Sequence, residues 1–102
     1  MSVTQKFEPS TKKLTIKLPD RFNFDIYSSF RNAYRDITPQ QVSSVYVDLS
    51  STSYIDSAAL GMLLLLGEHF KHTTVNITHC SEYIIQILEI ANFSKKFNIT
   101  GR

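Results

Sequence analysis

The chain has 102 residues, a formal net charge of +2, 42% hydrophobic residues and 20% charged residues, which is the balance of one compact globular domain spanning residues 1–102. Because Cys80 is the one cysteine, an intrachain disulfide is excluded. The N-terminal residues lack the charged-then-apolar pattern of a secretion signal. We therefore expect a protein of the reducing cytoplasm.

The composition also argues against two classes of partner. The longest apolar run, residues 60–66, is well short of the roughly 18 residues that cross a bilayer, so we expect no direct membrane insertion. The 11 Lys and Arg residues are scattered along the chain, whereas nucleic-acid binders concentrate positive charge on one face. We therefore expect no nucleic-acid partner.

The first part of the chain predicts a hairpin followed by a helix. Short strands are predicted at residues 3–8 and 13–18, and in the second strand apolar and polar residues alternate, as they do when one face is buried. Apolar residues then recur at spacings of three and four over residues 25–37, which indicates an amphipathic helix. Thr38 and Pro39 end this helix, because the residue before a proline disfavours the helical conformation.

The second part of the chain alternates predicted strands and helices. They fall at residues 45–49, 57–71, 75–80, 82–92 and 97–99, beginning and ending with a strand. Such alternation favours parallel pairing through right-handed crossovers, with the first hairpin as an antiparallel edge. We therefore expect an α/β fold in which a small mixed sheet carries its helices mainly on one face.

The segment from Asp48 to Leu66 is the most informative part of the sequence. It leaves the end of a predicted central strand, crosses a polar loop and enters a helix. In open α/β sheets this corner is where ligands and partners usually meet the protein. Asp56 has the position and the side chain of a helix N-cap, which makes Ser57 the first helical residue.

The two long faces of this helix differ in their expected surroundings. At about 100° per residue, the face that we expect in the core carries Ala59, Met62, Leu63, Leu66 and Phe70. The opposite face, flanked by Leu60 and Leu65, carries Ser57, Gly61, Leu64, Glu68 and His72. Leucines on an otherwise polar face form an apolar strip, which is typical of a protein interface. The sequence leaves open the alternative that another helix covers these leucines.

The helix that follows shows a more ordinary pattern. Apolar side chains recur along it at helical spacing, namely Tyr83, Ile84, Ile87, Leu88 and Ala91. Regular amphipathic spacing of this kind is typical of a face packed on a core. We therefore expect this helix to have a structural role.

The helix-opening segment resembles the signature of the STAS domain of bacterial anti-sigma factor antagonists. In that family, Asp-Ser-Ser-Gly-Leu or Asp-Ser-Ser-Ala-Leu follows a strand-ending aspartate; here Asp48 is followed by Asp56-Ser57-Ala58-Ala59-Leu60-Gly61. Residues 21–25 and 80–93 are also similar to single-domain STAS proteins of proteobacteria. The resemblance therefore covers nearly the whole chain and implies a STAS-like fold.

The resemblance also implies a function and a set of site residues. In that family the serine after the motif's aspartate is phosphorylated by a serine kinase with an ATPase-like fold, which is also the anti-sigma factor, and a PP2C-type phosphatase removes the phosphate. Only the unmodified form binds its target. Carried across, the phosphorylation site is Ser57, and the partner-binding residues are Asp56, Ser57, Ala58, Leu60, Gly61, Leu64, Leu65 and Glu68. Ala58 departs from the family, which usually has a second serine there.

The implied protein is a phosphorylation-controlled, non-enzymatic partner-switching regulator. Its output stays open between a sigma factor and another pathway such as biofilm control. A first alternative is an accessory subunit of a membrane transporter, because stand-alone STAS domains also serve there. A second is a small-molecule or nucleotide sensor, for which the sequence carries no motif.

Other chemistry has weaker support. His69, His72, His79 and Cys80 lack the paired spacing of a zinc site. Ser57 lacks the flanking glycines of a hydrolase nucleophile elbow, and the chain has too few glycines for a phosphate-binding loop. We therefore expect no catalytic residue, no cofactor and no metal ion.

Overall fold

A computed structural model describes residues 2–102 of the chain. Its strands are β1 Thr4–Glu8, β2 Lys13–Lys17, β3 Arg21–Phe22, β4 Ser44–Asp48, β5 Tyr54–Ile55, β6 Thr74–Cys80 and β7 Asn98–Gly101. Its α-helices are α1 Tyr27–Asn32, α2 Ser57–His69 and α3 Glu82–Ile90. Three short 3-10 turns lie at Phe24–Ile26, Pro39–Gln41 and Phe93–Lys95.

The main sheet is mixed, as the alternation of elements predicts. Its five strands lie in the order β1-β2-β4-β6-β7. The pair β1-β2 is antiparallel, and the pairs β2-β4, β4-β6 and β6-β7 are parallel. Each parallel connection contains one helix and advances the order in the same direction, so crossovers of one hand place all three helices on one side of the sheet. The α/β architecture with an antiparallel edge hairpin is confirmed.

The two faces of this sheet have opposite character. Alternate residues of the three inner strands are buried beneath the helices, namely Leu14, Ile16, Val45, Val47, Val75 and Ile77. The residues between them face the other way, where the Lys13 ammonium lies 4.6 Å from the centre of the Tyr46 ring. On the same face Asn98 Nδ2 donates to Asn76 Oδ1 over 3.1 Å. The period-two pattern therefore produces one core face and one polar face.

The first helix is shorter than its sequence period predicts. A helix over residues 25–37 is expected, but α1 ends at Asn32. The chain then continues in tighter turns. In these turns the Tyr34 amide donates to the Arg31 carbonyl, and the Ile37 amide donates to the Tyr34 carbonyl. The apolar face of the prediction is nevertheless correct, because Tyr34 is buried in an aromatic cluster with Phe30, His69 and Phe70. The Phe30 and Tyr34 rings thus stay in contact although the backbone after Asn32 leaves the regular helix.

A second, two-stranded sheet has no counterpart among the predicted elements. Strands β3 and β5 pair in parallel, with Arg21 opposite Tyr54 and Phe22 opposite Ile55. A strand of two residues is too short to show any period, so nothing in the sequence indicates it. This small sheet matters because it joins the loop before α1 to the loop that leads into α2.

At two glycines of α2, we expect an added methyl group to have opposite effects on the free energy of unfolding. A Cβ at Gly61 would meet no atom within 4 Å, whereas a Cβ at Gly67 would lie 2.9 Å from the ring of Phe97. We expect Gly61→Ala to raise the free energy of unfolding by about 0.5–1 kcal/mol through helix propensity. Gly67→Ala should lower it, because overpacking against a buried ring outweighs that gain. Urea unfolding measures both, and equal stabilisation by the two changes would show that the Phe97 ring moves freely.

Candidate functional site

The loop from β4 to α2 is fixed by polar contacts along its length. Asp48 Oδ1 accepts from the Ser50 amide over 2.9 Å. Thr52 is fully buried, and its hydroxyl donates to the Pro19 carbonyl over 2.8 Å. Ser53 hydrogen-bonds with Asp20 through its side chain, and its amide donates to the Asp20 carbonyl over 2.9 Å. The loop therefore has a defined path between the central strand and the helix.

The β3-β5 sheet places a second loop beside this path. The Arg21 guanidinium lies 4.4 Å from the centre of the Tyr54 ring. Just after β3, Phe24 stacks on Tyr27 with 5.5 Å between ring centroids, although 66% of its surface is exposed. The β3-β5 pairing thus brings the loop before α1 next to the motif. Phe24 is absent from the predicted site residues, and the sequence marks it only as an aromatic residue between Asn23 and Asp25.

The start of α2 has the predicted N-cap. Asp56 has an extended backbone, and its carboxylate accepts from the Ala59 amide over 2.9 Å. Ser57 is the first residue of the helix and is exposed. Asp56 therefore faces the helix backbone while Ser57 faces outward, so the two motif residues have separate surroundings.

The outer side of α2 carries a mixed polar and apolar surface. All five residues of the predicted core face are buried, namely Ala59, Met62, Leu63, Leu66 and Phe70. We call the predicted partner-binding set the α2 surface: Asp56, Ser57, Ala58, Leu60, Gly61, Leu64, Leu65 and Glu68. Within it Leu64 is 41% and Leu65 47% exposed, while Leu60 is half-buried. No other helix of residues 2–102 covers the two exposed leucines, so the alternative of a covering helix is not realised.

The surroundings of Leu64 are concave. A shallow cavity of about 230 Å³ lies beside α2, with Leu64, Val75 and Phe97 among its apolar walls. The charged residues Glu68, Lys71 and Lys96 also line it. The exposed side of Leu64 therefore continues into a groove whose lining carries charges of both signs.

One prediction about α3 is wrong. Ile84 and Leu88 are buried as expected, but Tyr83 is 50% exposed, and Ile90, outside the predicted face, is 84% exposed. Helix α3 has nine residues and packs on the sheet through a narrow stripe, so a residue that lies 100° from Ile84 falls outside the contact. Tyr83 is therefore a surface residue rather than part of the core.

The histidines and the cysteine are dispersed. His69 Nε2 lies 2.8 Å from the Ile37 carbonyl, whereas His79 Nδ1 lies 3.4 Å from the Asp48 carboxylate. Cys80 is buried, and this burial raises the pKa of its thiol to about 11 against the opposing effect of the nearby Arg102 charge. Across residues 2–102 no three His, Cys, Asp or Glu side chains are grouped so as to hold a metal ion.

Among residues 2–102, no helix combines the length and the apolar character needed to span a bilayer.

Comparisons with known proteins identify relatives of this chain and of its fold. The sequence profile of the STAS domain matches residues 4–101. A STAS-domain containing protein of Pseudomonas aeruginosa (strain UCBPP-PA14) is 38% identical over 104 residues, which covers 98% of this chain and 100% of that protein.

Two solved structures share the fold at low identity. The anti-sigma factor antagonist SpoIIAA in its unphosphorylated form has a TM-score of 0.76 at 12% identity, covering 99% of this chain and 89% of that chain. A sulfate transporter family protein from Wolinella succinogenes has a TM-score of 0.74 at 12% identity, covering 84% of this chain and 74% of that chain.

The N-cap predicts how the start of α2 responds to mutation. Asp56→Ala removes the acceptor for the Ala59 amide, and we expect it to lower the free energy of unfolding by about 1 kcal/mol. Asp56→Asn keeps a side-chain oxygen at the same place and should stay within a few tenths of a kcal/mol of the wild type. Urea unfolding of both variants is the measurement, and equal losses would show that the carboxylate charge, rather than the cap, stabilises the helix.

Proposed function

The chain belongs to the STAS domain family, and from that membership we propose that it is a partner-switching regulator of the anti-sigma factor antagonist type. It binds a serine kinase or anti-sigma factor with an ATPase-like fold when Ser57 is unmodified. Phosphorylation of Ser57 by that kinase ends the binding, and a PP2C-type phosphatase restores it. The protein acts in the cytoplasm by binding and has no enzymatic activity of its own.

The proposal rests on the position of Ser57 relative to the exposed leucines of α2. Ser57 is an exposed hydroxyl at the first position of α2, and the exposed leucines of the α2 surface begin two turns further on. A kinase that reaches Ser57 also covers the start of this surface. The antagonist SpoIIAA, which shares the fold, has been solved in an unphosphorylated form, and a phosphorylated form of SpoIIAA from Bacillus has been solved as well. A phosphorylation switch in a protein of the same fold supports one in this chain.

The local electrostatics are compatible with such a switch. A phosphate on Ser57 adds a charge of roughly −1.5 to −2 at a helix N-terminus, where the amides and the helix dipole favour an anion. The added charge therefore leaves the fold intact. The same charge has to lose water when a partner covers the α2 surface, and that desolvation opposes binding. Asp56 adds a like charge next to it, which increases the penalty.

A transporter role is the second candidate because of one comparison. The structure of the Wolinella succinogenes sulfate transporter family protein shares the fold. In that role the chain is an accessory subunit, and the α2 surface contacts an ABC-type ATPase. Copurification with such an ATPase, together with no labelling of Ser57 by ATP and a serine kinase, would favour this candidate over the regulator.

Substitutions at Ser57 test the switch itself. Ser57→Ala should stay in the binding form, because it adds no charge. Ser57→Asp should lose partner binding while gaining about 0.3–1 kcal/mol of stability from the helix dipole. Both variants should melt within a few degrees of the wild type, and neither should incorporate phosphate from ATP and the cognate kinase. Phosphate found by mass spectrometry on Ser50, Ser51 or Ser53, with Ser57 unmodified, would contradict the assignment.

A substitution at Leu64 tests the α2 surface. Leu64→Glu should leave the melting temperature nearly unchanged and weaken the complex with the kinase by at least about 2 kcal/mol, or about thirtyfold, since an unpaired carboxylate is costly at an interface core. Ile90→Glu is the matched control, because it places the same charge on an exposed apolar site of α3. Calorimetry measures both dissociation constants. Equal weakening by the two variants would show that the effect is a general one of added charge.

A further inference from the structure

Arg102 makes a set of contacts that neither the motif nor the proposed function explains. Its Nη2 donates to the Leu49 carbonyl over 3.2 Å and to the Thr52 carbonyl over 2.9 Å. Its Nε donates to the His79 carbonyl over 3.0 Å. Its own backbone amide donates to the Cys80 carbonyl over 3.2 Å. One guanidinium thus joins the loop that follows β4 to the end of β6.

Two of these carbonyls belong to a single turn. The Thr52 amide donates to the Leu49 carbonyl over 3.0 Å, which closes a four-residue turn immediately after β4. Because Nη2 bonds both the first and the last carbonyl of this turn, it connects the two ends. The buried Thr52 side chain fixes the same turn from the other direction through the Pro19 carbonyl.

The third carbonyl that accepts from Arg102 belongs to His79, a residue with an unusual backbone conformation. His79 has a φ of 59°, a left-handed value that non-glycine residues seldom adopt, and the β6-β7 register shifts between Ile77 and Cys80. Such a conformation persists only where the surroundings impose it, and it is concentrated at functional sites. Here the His79 carbonyl accepts from Arg102, while the His79 ring lies beside Asp48.

We propose that Arg102 is a positioning residue for the Ser57 switch. Its guanidinium holds the turn at residues 49–52 in one conformation, and that conformation sets the path of the chain through β5 to Asp56 and Ser57. Four residues along the chain lead from Thr52 to Asp56, and the amides of Ser53 and Tyr54 are already bound to the Asp20 carbonyl. A displacement of the turn is therefore passed along a short, tethered segment to the N-cap. The consequence for phosphorylation rests on the proposed function, whereas the clamp on the turn does not.

The chemistry of the clamp requires arginine. A guanidinium is planar and directs several N–H groups along fixed directions, so it can serve three carbonyls at once. A lysine ammonium keeps the charge but lacks this fork, and it can reach only part of the set. Arg102→Lys therefore separates the role of the fork from the role of the charge.

Amide hydrogen exchange followed by NMR tests the clamp on the isolated chain. In Arg102→Ala we expect the amides of Thr52, Ser53 and Tyr54 to exchange at least about threefold faster, while amides of β4 keep their wild-type rates. Arg102→Lys should fall between the wild type and Arg102→Ala. Arg35→Ala is the control, because Arg35 is exposed and pairs with Asp36 away from the loop. Unchanged exchange at residues 52–54, or an equal increase throughout the sheet, would overturn the clamp.

Phosphorylation kinetics test the consequence for the switch. With the kinase that phosphorylates the wild type, Arg102→Ala should raise the KM for this chain at least about threefold and change kcat less, because a loosely held serine docks less often. Wild-type KM and kcat in a variant with accelerated exchange would overturn the positioning role. Absence of Ser57 phosphorylation in the wild type would instead overturn the proposed function, so the two failures are distinguishable.

Discussion

The segment between β4 and α2 must turn a central strand into a helix while part of it stays buried, and its backbone polar groups therefore need partners inside the protein. A buried amide or carbonyl without a partner costs about as much free energy as a lost hydrogen bond. Thr52, which is fully buried, meets this requirement because its amide donates to the Leu49 carbonyl and its own carbonyl accepts from Arg102. The position of Ser57 follows from these contacts, because the tethered segment leads directly to the helix.

This arrangement gives the adjacent residues Asp56 and Ser57 different surroundings. The Asp56 carboxylate is occupied by the Ala59 amide, whereas the Ser57 hydroxyl is exposed. The buried face of α2 lies on the opposite side of the helix from Ser57. A charge added at Ser57 therefore changes the outer surface without entering the core, so a covalent modification there is compatible with a folded domain.

The sequence predicts the parts of this structure that are long enough to show a period or that carry a distinct cap. The buried face of α2 and the Asp56 cap are predicted correctly, since both depend on local spacing. The β3-β5 pair and the clamp of Arg102 are not predicted, because each joins residues far apart in the chain. Tyr83 is wrongly predicted in the core because helical spacing identifies a periodic face but not the width of the contact that covers it.

The distribution of exposed apolar side chains indicates which side of the protein a partner would use. The open face of the sheet is polar, with Lys13 over Tyr46 and Asn98 bonded to Asn76, so it offers little apolar area to bury. The large exposed hydrophobic residues lie instead in the helical layer, namely Phe24, Leu64, Leu65, Tyr83 and Ile90. Aromatic residues that lose water on binding are enriched among the side chains that supply most of the energy of an interface.

Phe24 lies in the loop that the β3-β5 pair joins to the segment leading into α2. Phe24 lies just after β3, and β3 pairs with β5, the strand that leads into Asp56 and α2. The β3-β5 pair therefore fixes a second loop beside the segment that leads into α2, an arrangement that the sequence motif of the single helix does not reveal.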